Sequence, residues 1–182
     1  MSKMLIVVDM LNDFVHKDGV LEFQFARNIV PFLEKRIRHY VETKERMIFL
    51  CDSHDENDEE FKRFPKHAVK DTWGAKVIDD LFWLIATHQG IIFDNVDYIR
   101  KKRYSGFYGT SLAAELNIHK PDEVEVVGVC TSICVMDTVG GLANRDYKVV
   151  VPVRGVADFD NDAHKAALSR METLYGAKII ED

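Results

Sequence analysis

Two of the chain's three cysteines, Cys130 and Cys134, stand four positions apart in GVCTSICV (128–135), directly after the apolar run VEVV. That puts thiols where a strand gives way to a helix. The pair reads in four ways: buried small hydrophobes, a disulfide, metal ligands, or a nucleophile with a neighbour. If the helix begins near Thr131 or Ser132, Cys134 lies in its first turn. There the unpaired N–H groups and the positive dipole end favour a thiolate. The same N–H groups suit an oxyanion formed when sulfur attacks a carbonyl. Cys-x₃-Cys has no second Cys/His pair nearby to complete a metal site. From spacing alone, nucleophile and packed small hydrophobe both stay open.

Three further stretches carry reactive groups. Asp9 follows the apolar run MLIVV. A carboxylate there is partly desolvated, which raises its pKa and suits it to proton transfer; a loop-capping aspartate is the alternative. Asp52 and His54, two apart after MIFLC, point the same way if the segment is extended. With the distant His67 they make a three-ligand set that leaves coordination positions open, and Glu60 lies between. The alternative is a solvated surface loop, since DENDEEFKRFPKH (55–67) is strongly charged. Lys101 sits in the basic run RKKR (100–103). It is either a solvated charge or the counter-charge that keeps Asp9 and Cys134 reactive.

The elements that must position these groups alternate. Continuous apolar runs predict buried strands at 4–8, 47–51, 90–94, 123–129, 147–153 and 177–181. Apolar residues at helical spacing predict helices over 28–43, 75–88, 110–117, 131–145 and 161–176. Asn28 is read as a cap with Pro31 in the first turn, Thr110 as a second cap, and Gly176 as a stop. Residues 52–74 read as a long polar loop. The β-α-β series implies an α/β fold with a mostly parallel sheet covered by helices on both faces. Ligands of such sheets bind beyond the carboxyl ends of the strands, where Asp9, Asp52, Lys101 and Cys134 all fall.

Length and composition bound the rest. The 182 residues fit one domain, 1–182, with 47% apolar and 30% charged residues. A net charge of −6 with no basic stripe argues against a nucleic-acid partner. No apolar run approaches membrane-spanning length, and the first apolar run is too short for a secretory signal. Three cysteines suggest a reducing, cytoplasmic setting, which disfavours a disulfide.

Four motifs together, VVDMLNDF (7–14), CDSH with His67, KKRYSGFYGT (101–110) and GVCTSICV, resemble those of the isochorismatase-like cysteine hydrolases, and within them the nicotinamidases. The likeness runs over nearly the whole chain. It implies a three-layer α-β-α sandwich around a six-stranded sheet. It implies a catalytic set of Asp9, Lys101 (rather than Lys102) and Cys134, and an oxyanion hole from the N–H groups of Cys130 and Cys134. It also implies a cis peptide at Val129–Cys130. One divalent metal is implied on Asp52, His54 and His67, with Glu60 at an acidic position that joins the shell in some nicotinamidases. Zn²⁺ is the expected ion, with Mn²⁺ or Fe²⁺ as alternatives. Phe14, Phe64 and Tyr104 match ring-packing aromatics, with plain core as the alternative. The implied activity is hydrolysis of nicotinamide to nicotinate and ammonia through a thioester, by a homo-oligomer acting on a small amide. Another amidase of the family, with a carbamoyl or ureido substrate, and a non-catalytic binding protein are the alternatives. Two departures stand out: Cys130 where a small or aliphatic residue is common, and Ser132 where aspartate is frequent.

Overall fold

The computed structural model describes residues 2–87 and 95–181. Its centre is β1 (Lys3–Val8), whose MLIVV side chains (4–8) are buried on both faces. β1 pairs with β2 (Arg46–Asp52) on one side and with β4 (Glu123–Val129) on the other, both in parallel. β3 (Val96–Lys101) extends the sheet beyond β2, and β5 (Val149–Pro152) and β7 (Lys178–Ile180) extend it beyond β4. A two-residue strand, β6 (Val156–Ala157), pairs with the far end of β4.

Strand alternation creates the three layers. Leu5 and Val7 of β1, with Met47, Phe49 and Val127, face one side. There they pack under α3 (Val30–Thr43) through Leu33, Ile37 and Tyr40, and under α4 (Asp79–Thr87) through Leu81 and Ile85. Met4, Ile6 and Val8 face the other side. They meet Leu112 and Leu116 of α5 (Leu112–His119), Val139 and Leu142 of α6 (Met136–Ala143), and Met171 of α7 (Asn161–Thr173). Two short helices, α1 (Asn12–Val15) and α2 (Gln24–Asn28), follow β1. Among the described residues no helix is long and apolar enough to cross a membrane.

The sheet thus has seven strands among the described residues rather than the expected six. The strand expected at 90–94 falls outside the described residues; the strand observed here is Val96–Lys101, which draws DYIR into the sheet. β6 is the added strand. Asn28 ends α2 instead of capping α3, because Ile29 already has a helical backbone and occupies the cap position. Pro31 lies in the first turn as expected. The helix expected from Thr131 begins as a π-turn, Thr131–Val135, before α6. Thr110 serves α5 through its Oγ1, which accepts from Leu112 N at 3.2 Å.

Register decides what reaches the carboxyl edge. Asp52 lies opposite Lys101 at the ends of β2 and β3, and Val8 lies opposite Gly128 at the ends of β1 and β4. Gly128 has φ +116°, and a Cβ there would stand 2.0 Å from Val8 O. No side chain fits against that backbone atom. Gly128→Ala is therefore expected to lower the unfolding free energy by at least about 2 kcal/mol, read from urea denaturation.

Candidate active site

Lys101, the last residue of β3, is 1% exposed. Its Nζ lies 2.7 Å from Asp9 Oδ2, 2.6 Å from Asp52 Oδ1 and 3.4 Å from Cys134 Sγ. Asp9 leaves β1 in the left-handed region (φ 50°), which aspartate tolerates better than most residues. That turn keeps its N–H on Leu50 O at 2.9 Å while Oδ1 accepts from Asp52 N at 2.9 Å. Two carboxylates, one ammonium and one thiol are thus buried together.

The balance of charge sets their proton affinities. Burial and the neighbouring Asp52 charge push Asp9 up to about 6, against the pull of Lys101. Asp52 is itself lowered: burial opposes ionisation, but Lys101 and His54 outweigh it. Lys101 is held well above its ordinary value because the charges of Asp52 and Asp9 overcome its burial. Burial also holds the Cys134 thiol well above its ordinary value; Asp9 and Asp52 add to that, and Lys101 opposes it. Burial thus works against the pull of the helix dipole toward a thiolate. The helix-dipole argument is local, whereas Cys134 is buried against carboxylates from other strands. The sulfur holds its proton more tightly than an ordinary thiol and has a carboxylate beside it.

Beside this cluster, ligand atoms of Asp52, His54 and His67 all lie within 4.8 Å of one another, and all three residues are buried. His54 Nε2 is 3.7 Å from Asp52 Oδ2, and His67 Nε2 is 3.9 Å from Glu60 Oε1. His67 Nδ1 is occupied by Pro65 O at 2.7 Å, which leaves Nε2 facing inward. His54 Nδ1 lies 3.2 Å from Asp58 Oδ2, and Arg103 pairs with the same carboxylate at 3.0 Å. His54 Nε2 and Glu60 Oε2 are buried without a hydrogen-bond partner among the described residues. Orphaned imidazole and carboxylate atoms beside a convergent Asp-His-His set suit a divalent cation. Glu60 stands against His67, outside the converging trio.

Both groups open on one cavity of about 370 Å³. Asp9, Asp52, Glu60, His67, Cys130 and Cys134 contribute to its lining, with Phe14, Phe64 and Tyr104. The Phe14 and Phe64 rings stand edge-on to His67, at centroid distances of 5.5 and 6.3 Å. The Val129–Cys130 peptide is cis. In the turn that follows, the Ile133 and Val135 N–H groups bond Cys130 O, and the Ser132 N–H bonds Asp158 Oδ2.

The isochorismatase domain model matches residues 3–181. The chain belongs to the isochorismatase family. Its fold superposes on the nicotinamidase/pyrazinamidase PncA of Bacillus subtilis with a TM-score of 0.93 and 33% identity, each chain covered completely. The zinc complex of Pyrococcus horikoshii pyrazinamidase gives 0.87 and 27%, also over the whole of both chains. N-carbamoylsarcosine amidase from Thermoplasma acidophilum gives 0.84 and 29%, over 99% of this chain and 96% of that one.

Every site residue that the family likeness implies borders this cavity or the buried cluster behind it. Lys102 points elsewhere, to an exposed pair with Asp55 at 2.5 Å. The three cysteines are free. Sequence reasoning missed the rest of the cavity wall: Val20, Leu21, Glu22, Phe23, Ile133 and Phe159, with Val129 known only for its peptide bond. Phe159, alone among acidic residues, was the one visible hint. It also missed the supporting carboxylates. Asp13 accepts from Ala68 N at 2.7 Å, beside His67, and Asp58 links His54 to Arg103. Asp13 lies within a recognised motif; Asp58 carries no signal apart from its acidic loop.

Lys101→Met keeps the side-chain volume but leaves Asp9 and Asp52 facing each other without a buried cation. The expected loss is about 3–5 kcal/mol of stability. Lys102→Ala, tested in parallel by thermal melting, should leave the midpoint nearly unmoved.

Proposed function

We propose that the chain is a metal-dependent nicotinamidase, one isochorismatase-like hydrolase domain over residues 1–182. It hydrolyses nicotinamide to nicotinate and ammonia through a thioester on Cys134. Lys101 holds Asp9 and Cys134 at the wall of a cavity that Asp52 and His67 also line, with His54 converging on those two from behind, and this arrangement carries the reading. The similarity to a nicotinamidase and to a zinc-bound pyrazinamidase supports it.

In the first half-reaction Asp9 takes the proton of the Cys134 thiol as the sulfur attacks the carboxamide carbon. Lys101 stabilises the negative charge shared by Asp9 and the sulfur. The carbonyl oxygen, now negative, is received by the N–H groups of Cys130 and Cys134. The C–N bond breaks, Asp9 returns the proton to the leaving nitrogen, and ammonia departs. In the second half Asp9 takes a proton from water, which attacks the thioester. Nicotinate leaves and the sulfur regains its proton. Asp52, His54 and His67 would hold the divalent ion, with Glu60 alongside, and two imidazoles with a carboxylate suit Zn²⁺. When bound, the ion supplies a Lewis-acid contact that orients the pyridine nitrogen of the substrate. Phe14, Phe64 and Tyr104 pack the ring.

The likeness to N-carbamoylsarcosine amidase favours a second reading, hydrolysis of a carbamoyl or ureido amide. The cavity wall weighs against it. Phe14, Phe23, Phe64 and Phe159 suit an apolar ring, while Glu22 and Glu60 would repel a substrate that carries its own carboxylate.

Two measurements test the proposal. Cys134→Ala should abolish ammonia release from nicotinamide while the fold, read by circular dichroism, is kept; persistent turnover removes the thioester route. His54→Ala should lose bound metal in elemental analysis and raise KM for nicotinamide. An unchanged metal content would mean the ion, if any, is held elsewhere.

A further inference from the structure

β6 pairs only with the last two residues of β4, Gly128 opposite Val156 and Val129 opposite Ala157. Asp158 therefore emerges beside Cys130, and its side chain is 3% exposed. Its Oδ2 accepts from Ser132 N at 2.7 Å, and its Oδ1 accepts from Asp160 N at 3.3 Å. Asp160 then caps α7, with Oδ1 accepting from Asp162 N and Ala163 N. From α7, His164 Nδ1 reaches back to Thr131 Oγ1 at 2.9 Å. The stretch 156–164 thus holds 128–132 by strand pairing, by a carboxylate and by an imidazole. The π-turn that carries Cys134 has no side-chain cap of its own at Cys130. The carboxylate that takes its N–H comes from 26 residues away.

The sulfur has a separate anchor, Lys101 Nζ at 3.4 Å. One contact fixes the nucleophilic atom and another fixes the turn's backbone. A negative charge at Asp158 does nothing to favour a thiolate nearby, so its contribution is geometric. We propose that Asp158 is a positioning residue for the reaction: by taking the Ser132 N–H it fixes the nucleophile turn so that the Cys130 and Cys134 N–H groups face the substrate's carbonyl oxygen. This rests on the amide-hydrolase reading above.

The test compares Asp158→Ala and Asp158→Asn with the wild type, all metal-loaded, in two assays. One is steady-state ammonia release from nicotinamide. The other is alkylation of Cys134 by iodoacetamide, located by mass spectrometry, which attacks a saturated carbon and needs no oxyanion site. For Asp158→Ala, kcat should fall roughly ten- to a hundredfold with KM changed less than about threefold. Its Cys134 alkylation rate should match the wild type. Asp158→Asn keeps an acceptor for the Ser132 N–H, and its kcat should stay within about fivefold of wild type. An unchanged kcat in the alanine variant overturns the proposal. So does a parallel fall in alkylation, which would mean the sulfur itself has moved. If the alanine variant does not fold, the asparagine variant decides: a folded protein with more than about a tenfold loss of kcat points to the charge and overturns the proposal. A wild type that releases no ammonia from nicotinamide sinks the functional reading instead, a result these variants cannot produce.

Discussion

Two carboxylates and one ammonium, all shut away from water, are the constraint on which the site depends. Buried charges are tolerated when paired and hydrogen-bonded. Lys101 meets that condition for Asp9 and Asp52 at once and still touches the Cys134 sulfur. With two acids to one base, the cluster cannot satisfy both carboxylates equally. Asp52, which has His54 as well as Lys101, is lowered, while Asp9 is left with a raised proton affinity. That inequality separates the roles: Asp52 is suited to a cation and Asp9 to proton traffic. Neither role follows from the residue type, since both are aspartates at the ends of adjacent strands.

Much of this was legible because the fold writes its core in long runs. MLIVV and EVEVVGV are buried on both faces, so their apolar continuity marks them as central strands, and the reactive residues that follow them fall at the carboxyl edge. Lys101 and Lys102 illustrate the limit. Composition cannot separate two lysines in RKKR; motif resemblance chose the first, and strand alternation supplies the cause, since Lys101 turns inward opposite Asp52. β6 was invisible because a two-residue strand has no period, and its existence depends on where β4 ends. The rim from Val20 to Phe23 and the lone Phe159 come together only through tertiary packing. The burial that raises the Cys134 thiol was not visible in sequence, because the dipole argument sees one turn and not the acids across from it.

The cavity divides its work by chemistry. Under the proposed function, the Asp9, Lys101 and Cys134 side serves bond making and breaking. The His54 and His67 side offers imidazole nitrogens; Pro65 O holds His67 Nδ1 and Asp58 lies 3.2 Å from His54 Nδ1, which orients the rings. Aromatic edges lie between, against His67. Asp52 belongs to both halves through Lys101 and His54, so the two are electrostatically joined.

Because strand side chains alternate, sliding β3 along β2 by one residue would swap every inward group of β3 for an outward one. The cation in the pocket would then be withdrawn and an arginine or a second lysine would stand at the sheet's end. The place of the buried ammonium beside both aspartates is thus written into the pairing of β3 with β2.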